Sequence, residues 1–174
     1  MKIKNERAIE YLKYLGLEYD IDDYESRFLI QKTILILKNM GLPLSYEFSF
    51  GKAGTYSKEL SHDYYNNKEK FTSKDTQFIL NDSEREILDK YRNVMDYDKS
   101  LLEAVSTILY FELQYESLNN VIAKFKKVKP HISEREIMVA QNKSKSLKFK
   151  EEFLTSELME EITLWESMDD SSVR

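Results

Sequence analysis

Apolar residues recur at helical spacing along most of the chain. The longest apolar stretch runs from Arg27 to Met40 and is followed by Gly41, a residue type that commonly ends helices. Its centre, Thr33–Leu37, would also suit a buried strand, but the length of the whole stretch favours a helix. Because the stretch is apolar on almost every side, we predict that it is the central helix of the core, with Leu35 buried.

This helix has one polar seam. At 100° per residue, Arg27, Gln31 and Lys38 fall within about 40° of one another. An unsatisfied buried amide would be costly, so we expect Gln31 to be largely buried and hydrogen-bonded to backbone in the loop from Gly51 to Tyr56.

Six more helices are predicted from apolar spacing and from residues that commonly begin or end helices. Two of them follow a capping box, in which a Ser and a Glu three residues later satisfy each other's backbone: Ser83 with Glu86, and Ser133 with Glu136. In one of the helices Glu112 lies on the apolar stripe, and we expect it at a partly exposed helix end rather than paired with a cation. The predicted helices span Glu6–Leu15, Lys58–Tyr65, Glu84–Met95, Ser100–Gln114, Leu118–Val128 and Glu134–Leu147.

Two short segments are predicted to form β-strands. Tyr46–Phe50 alternates aromatic and polar residues. Thr76–Leu80 precedes a predicted helix and suits the last wing strand of a winged helix. The pattern therefore predicts a mainly α, winged-helix-like domain over residues 1–150 with a small β element. Beyond it, residues 151–174 are predicted to form an amphipathic acidic helix and tail, whose apolar stripe comprises Leu154, Leu158, Ile162 and Trp165.

Composition narrows the classes of function. The 174 residues fit a single domain, and the absence of cysteine excludes disulfides, thiolate metal sites and cysteine nucleophiles. The first residues lack the apolar region of a signal peptide, and no segment approaches the length of a membrane span. We therefore expect a cytoplasmic protein that has no membrane partner.

The net charge of −5 hides an asymmetry near the C-terminus. Residues 124–150 carry nine basic and two acidic side chains, whereas residues 151–174 carry one basic and eight acidic. The two segments could pair with each other, present solvated helix faces, or provide a nucleic-acid patch. Lysines near helix C-termini also offset the helix dipole. The candidate lysines for duplex DNA are Lys124, Lys126, Lys127, Lys129, Lys143, Lys145 and Lys148.

Residues that could carry catalysis are few. His62 and His131 are the two histidines, and His62 is next to Asp63, a spacing at which helical residues do not face each other. A triad from Ser57, His62 and Asp63 would need unusual geometry, and no phosphate-loop or metal-binding spacing is present. We therefore predict a protein that is not an enzyme and holds neither a cofactor nor a metal.

One stretch resembles a known family. Residues 27–65 contain a Gln31-Lys32 pair, a glycine at Gly41, a short aromatic strand, and a Gly-x-Tyr-Ser turn before a helix. A second block adds Tyr110, Lys126–His131 and Ser133–Glu136. Over residues 5–145 the chain resembles the YwgA-like family and, more distantly, the Panacea (SocA-like antitoxin) domain. The family-like positions are Gln31, Lys32, Gly54, Tyr56, Ser57, Leu60 and Asp63; Thr55 stands where the family usually has proline.

The resemblance implies a non-catalytic module that binds another macromolecule. In the Panacea relatives that role is toxin neutralisation or adaptor activity, so we predict a protein-interaction module, antitoxin- or defence-associated. The alternative is a winged-helix DNA-binding regulator that uses residues 124–150. Trp165 and its apolar stripe must pack on something, since so short a helix is marginal alone in water; we favour contact with a partner, most simply in a homodimer.

Overall fold

The computed structural model describes residues 2–52 and 54–148, together with Glu160 and Leu164. The backbone divides into two compact units, one up to Asn93 and one from Val94 onward. The boundary predicted after residue 150 adjoins residues outside the described part. No helix in the described part combines the length and the apolar composition needed to cross a bilayer.

Helices dominate both units, and a single short hairpin accompanies them among the described residues. This confirms the predicted mainly α fold with a small β element. The elements of the first unit are α1 (Lys2–Tyr14), α2 (Tyr24–Asn39), β1 (Ser49–Gly51), β2 (Gly54–Tyr56), α3 (Lys58–Asn66), α4 (Lys68–Ser73) and α5 (Asp82–Val94). Those of the second unit are α6 (Lys99–Glu112), α7 (Leu118–Val128) and α8 (Glu134–Lys148).

Helix α2 is the buried centre of the first unit, as predicted. Every residue from Ile30 to Leu37 is buried. The helix begins three residues before the predicted start because Asp23 caps it, accepting a hydrogen bond of 2.8 Å from the Ser26 N–H. Hydrogen bonds from Ser26 hold the pKa of Asp23 below its ordinary value, so the cap is charged at neutral pH.

The β element is an antiparallel hairpin whose strands pair Phe50 with Thr55. The predicted strand Tyr46–Phe50 started too early, because the Tyr46 carbonyl accepts a hydrogen bond of 2.7 Å from Lys38 Nζ and takes no part in the ladder. Gly54 has a φ of +89°, a backbone conformation that favours glycine, and it begins the returning strand.

Two further predictions for the first unit were wrong, and one helix was missed. Thr76–Leu80 has no ladder partner and is not a wing strand. The capping box at the start of α5 joins Asn81 and Glu84 rather than Ser83 and Glu86: Asn81 Oδ1 accepts from the Glu84 N–H at 2.8 Å, and Glu84 Oε2 accepts from the Asn81 N–H at 2.9 Å. Helix α4 was missed, because Phe71 is its one buried residue and so short a segment shows no periodicity.

The second unit is built on α6, which packs against both α7 and α8. Ser117 caps α7 by accepting from the Asn120 N–H at 3.2 Å. The capping box at α8 is confirmed, since Ser133 Oγ accepts from the Glu136 N–H at 3.2 Å and Glu136 Oε2 accepts from the Ser133 N–H at 2.7 Å. Glu112 ends α6, where it is partly exposed as expected and also pairs with Lys148.

The α8 capping box should make stability depend on pH. The hydrogen bond from the Ser133 N–H lowers the pKa of Glu136 in the folded protein, despite some opposing desolvation. The ionised Glu136 therefore stabilises the folded protein at pH values above its unfolded pKa of about 4.3. This contribution is lost as the pH falls through the pKa of the folded state. Glu136→Gln should therefore lower the urea midpoint, followed by circular dichroism, at pH 7. At pH values below the folded pKa the difference from the wild type should disappear.

Glu116→Gln is the matched control for this prediction, because Glu116 is an exposed residue of the same unit. Its midpoint should track that of the wild type at both pH values. A difference between Glu136→Gln and the wild type that persists unchanged in acid would show that ionisation of Glu136 does not stabilise the cap.

Candidate functional site

The Gln31 side chain joins α2 to the start of α3. It is 4% exposed, its Nε2 donates to the Ser57 carbonyl at 3.0 Å, and its Oε1 accepts from the Ser57 N–H at 2.9 Å. The prediction of a buried amide bonded to backbone is confirmed, with a partner one residue beyond the expected loop. Because both amide groups are used, Gln31 holds the hairpin's exit at a fixed distance from the core helix.

Lys32 is buried, which was not predicted from the sequence. It is 2% exposed, and its Nζ donates to the Thr55 carbonyl at 2.8 Å and to the Thr55 hydroxyl at 2.9 Å. The ammonium also lies 5.0 Å from the centre of the Phe28 ring, within the range of a cation–π contact. One signal was available: a lysine in a helix that is apolar all round must reach inward polar atoms.

The remaining family-like residues lie at the start of α3. Ser57 caps that helix, with its Oγ accepting from the Leu60 N–H at 3.2 Å, and Leu60 is in the core. Asp63 Oδ2 accepts a hydrogen bond of 2.7 Å from the Tyr46 hydroxyl. Burial first, and then the Asp63 carboxylate, raise the pKa of Tyr46, which therefore stays protonated and able to donate at neutral pH.

The polar seam predicted on α2 donates to three different segments. Arg27 Nη1 donates to the Ile21 carbonyl at 2.9 Å, Gln31 to Ser57, and Lys38 to Tyr46. These contacts tie together the loop before α2, the segment after it and the hairpin. The polar atoms of the family-like residues thus make hydrogen bonds that hold the fold together. Tyr56 differs from them, because its side chain is 37% exposed.

The residues of the weakly supported triad have separate environments. The Ser57 hydroxyl is buried and serves as the cap of α3. His62 is on the exposed face of α3, and Asp63 accepts from Tyr46. In the residues that the structure describes, no group of three or more His, Cys, Asp or Glu side chains is placed to hold a metal ion.

An exposed aromatic surface lies beside the Gln31 region, and sequence analysis missed it. The guanidinium carbon of Arg27 is 6.0 Å from the ring centres of both Tyr24 and Tyr65. Tyr24 is 54% exposed and Tyr65 is 51% exposed. The Tyr65 ring also meets Tyr64 edge-on at 5.0 Å. A sequence signal existed for half of this surface, because Tyr24 and Arg27 are three residues apart in one helix.

The predicted basic patch is partly neutralised within the second unit. Lys126 pairs with Glu134 at 2.5 Å, Lys148 pairs with Glu112, and Lys129 is buried against Glu103. Lys127 is exposed, and Lys124, Lys143 and Lys145 are partly exposed. Ion pairing therefore accounts for three of the seven candidate lysines, because a carboxylate already offsets each of these charges.

The predicted partner-binding stripe of Leu154, Leu158, Ile162 and Trp165 lies outside the described residues. Its role in a homodimer or another complex stays a prediction.

Comparison of the chain with family models, with curated proteins and with solved structures finds no match. The resemblance to YwgA-like and Panacea proteins therefore also stays a prediction.

Proposed function

We propose that the chain is a non-catalytic module that binds another protein. The observation that carries this proposal is the surface formed by Tyr24, Arg27 and Tyr65, in which two half-exposed phenol rings flank one guanidinium. Tyrosine and arginine are enriched in protein interfaces and among the residues that dominate binding energy. Rings that are already ordered lose little conformational entropy when a partner covers them.

The hydrogen bonds around Gln31 support the same proposal. They hold α2 and α3 together through Ser57, and α3 carries Tyr65 while α2 carries Tyr24 and Arg27. In this view the family-like polar residues position a surface instead of reacting with a substrate. The resemblance to YwgA-like and Panacea proteins implies, more narrowly, that this module is an antitoxin- or defence-associated adaptor.

The charge near this surface favours a protein over DNA. Asp20, Asp22, Asp23 and Glu25 are exposed in and beside the loop that leads to Tyr24. Carboxylates at this position would repel phosphate groups, which supply most of the affinity of non-specific DNA binding. The three internal ion pairs of the basic segment point in the same direction, since they reduce the charge that the segment offers to DNA.

Replacing Tyr24 and Tyr65 together with alanine should remove the partner while the protein stays folded. The purified full chain serves as bait for an extract of the organism that encodes it, and retained proteins are identified by mass spectrometry. For the recovered partner, loss of hot-spot side chains should cost about 2 kcal/mol or more, roughly thirtyfold in Kd. Titration of that partner against both forms of the chain measures this.

Tyr97→Ala is the control, because Tyr97 is 44% exposed and belongs to the second unit. It should bind the partner like the wild type. A partner that binds the double variant equally well would contradict the proposed surface. Retention of duplex DNA and of no protein would instead support the DNA-binding regulator. The logarithm of the binding constant should then fall with the logarithm of the salt concentration with a slope of about −0.9 per phosphate neutralised. This binding should weaken when the exposed and partly exposed lysines of the basic segment are replaced: Lys124, Lys127, Lys143 and Lys145.

A further inference from the structure

The segment between α4 and α5 has the side-chain pattern of a strand but lacks a strand partner. Exposure alternates along it: Asp75, Gln77 and Ile79 are exposed, Thr76 and Phe78 are partly buried, and Leu80 is buried. This alternation is typical of extended backbone with one face on a core. This segment, Thr76–Leu80, is the predicted wing strand.

The inner face of this segment is held against α1. The Thr76 hydroxyl donates to the Glu6 carbonyl at 3.4 Å. The Phe78 ring meets Tyr11 edge-on at 6.5 Å, and the guanidinium carbon of Arg7 lies 4.9 Å from the centre of the same ring. These contacts fix the direction of the segment, so its outer face is presented in an ordered form.

The backbone of this segment is almost without hydrogen bonds. Within the part of the chain that the structure describes, the backbone from Thr76 to Ile79 makes one, from the Phe78 N–H to the Thr76 hydroxyl at 3.0 Å. In an antiparallel ladder, alternate residues exchange both hydrogen bonds with the same neighbour. Gln77 and Ile79 form such an alternate pair, so together they offer one edge with two donors and two acceptors.

Ile79 makes this edge unusual. It is 83% exposed, the highest exposure among the large apolar side chains of the described residues. Natural proteins usually protect an open edge with lysine, proline or a covering element, because an open edge pairs with other chains. Here an isoleucine of high β propensity stands at the centre of the edge, an arrangement that suits pairing.

We propose that this edge binds, by addition of a β-strand, an extended segment of another protein with apolar residues at its centre and lysine or arginine at its ends. The basic ends of the proposed partner are inferred from two carboxylates, one at each end of the edge. Asp75 precedes it and forms no ion pair among the described residues, and Asp82 follows it with a fully exposed carboxylate that contacts Arg85 at 3.0 Å. Main-chain hydrogen bonds supply affinity in this mode, and side chains supply specificity.

A second copy of the chain fits this edge less well. Antiparallel pairing centred on Ile79 would set the two isoleucines opposite each other, which is favourable. It would also bring each Asp75 towards the first turn of α5 in the other copy, where Asp82 lies. Like charges across a strand pair are destabilising, so the ends of the edge select a basic partner.

A nine-residue peptide of alternating valine and threonine, with lysine at both ends, tests the proposal. Titrated into the ¹⁵N-labelled full chain, it should shift the amide resonances of Gln77 and Ile79 and slow their hydrogen exchange at least about tenfold. A peptide N-methylated at its valines lacks the donors of one edge and should not bind. A peptide with glutamate at both ends should bind more weakly than the lysine peptide, and its binding should strengthen with added salt.

Protein variants separate this edge from the Tyr24–Arg27–Tyr65 surface. Ile79→Lys should abolish peptide binding without a measurable shift of the urea midpoint, because the residue is exposed. Leu113→Lys, a similar change at a residue that is 74% exposed in the second unit, should bind the peptide normally. Replacing Tyr24 and Tyr65 with alanine should also leave peptide binding intact, so this inference can fail while the proposed function stands.

Four outcomes would overturn the inference. The first is an absence of shifts at millimolar peptide, and the second is equal binding of the N-methylated peptide. The third is slow exchange of the Gln77 and Ile79 amides in the dilute free protein, which would mean that the edge is already paired. The fourth is protection that grows with protein concentration without peptide, which would identify a second copy as the occupant.

Discussion

Replacing Leu35 with alanine should lower the free energy of unfolding by about 2–5 kcal/mol, the range measured for buried leucines truncated to alanine. Leu35 is 1% exposed and lies in the middle of α2, where every residue from Ile30 to Leu37 is buried. The loss combines the transfer free energy of the removed atoms with the cost of a cavity. Because neighbours surround this helix on all sides, the site cannot collapse easily, so we expect the upper half of the range.

The measurement is urea unfolding followed by circular dichroism at pH 7. Leu113→Ala is the control, because Leu113 is 74% exposed and its truncation should change the free energy by no more than about 0.5 kcal/mol. A cost below about 1 kcal/mol for Leu35→Ala, with an unchanged dependence on urea, would contradict the central role of α2.

The sequence predicted helices well where many apolar residues share one face. Helix α7 has the bounds that were predicted, Leu118–Val128, and α2 begins three residues and ends one residue before its predicted bounds. In both, repeated burial along one segment produces a periodic signal. Helix α4 has six residues and one buried side chain, so its formation depends on packing between Phe71 and Tyr64, whose rings meet edge-on at 6.3 Å. Such a contact leaves no period in the sequence.

Polar residues of the core were harder to place than apolar ones. Gln31 was predicted to be buried because an amide in an apolar helix needs a partner, and that argument held. The same argument applies to Lys32, yet its partner is Thr55, a residue 23 positions away in the hairpin. Which distant oxygen a buried ammonium reaches depends on how the hairpin packs on α2, and spacing along the chain does not contain that information.

The two proposed interaction surfaces could likewise be predicted only in part from the sequence. Tyr24 and Arg27 are at helical spacing, but they share a helix only because α2 begins three residues before its predicted start, and Tyr65 joins them through the packing of α3. The open edge at Gln77 and Ile79 shows the opposite case. A strand was predicted there from the sequence, but whether a neighbouring strand pairs with it is a tertiary property.

The start of α5 shows how a capping box can be assigned to the wrong residues. Ser83 and Glu86 have the expected types and spacing, yet Asn81 and Glu84 form the box. A contact of Glu84 in the core explains why Asn81 and Glu84 form the box. Glu84 is 4% exposed and its Oε1 accepts a hydrogen bond of 2.6 Å from the Tyr11 hydroxyl, which is fully buried. Burial first, and then Glu84, raise the pKa of Tyr11, so the phenol remains a donor at neutral pH.

Replacing Glu84 with alanine should therefore be strongly destabilising. The change removes the acceptor of the Tyr11 hydroxyl and of the Asn81 N–H, and it removes the carboxylate 3.7 Å from Arg7 Nε, a buried nitrogen with no hydrogen-bond partner among the described residues. Leaving the buried Tyr11 hydroxyl without an acceptor costs about 1–3 kcal/mol. Loss of the capping box adds about 0.5–2 kcal/mol. Urea unfolding at pH 7, followed by circular dichroism, measures this cost.

The matched variant at the other candidate position decides between the two capping boxes. Glu86 is exposed in the same helix, so Glu86→Ala should change the free energy of unfolding by no more than about 0.5 kcal/mol. Glu84→Gln keeps an oxygen for Tyr11 and should cost less than Glu84→Ala, since the buried hydroxyl is still satisfied. Equal costs for Glu84→Ala and Glu86→Ala would show that helix α5 depends on general electrostatics at its first turn and not on the contact with Tyr11.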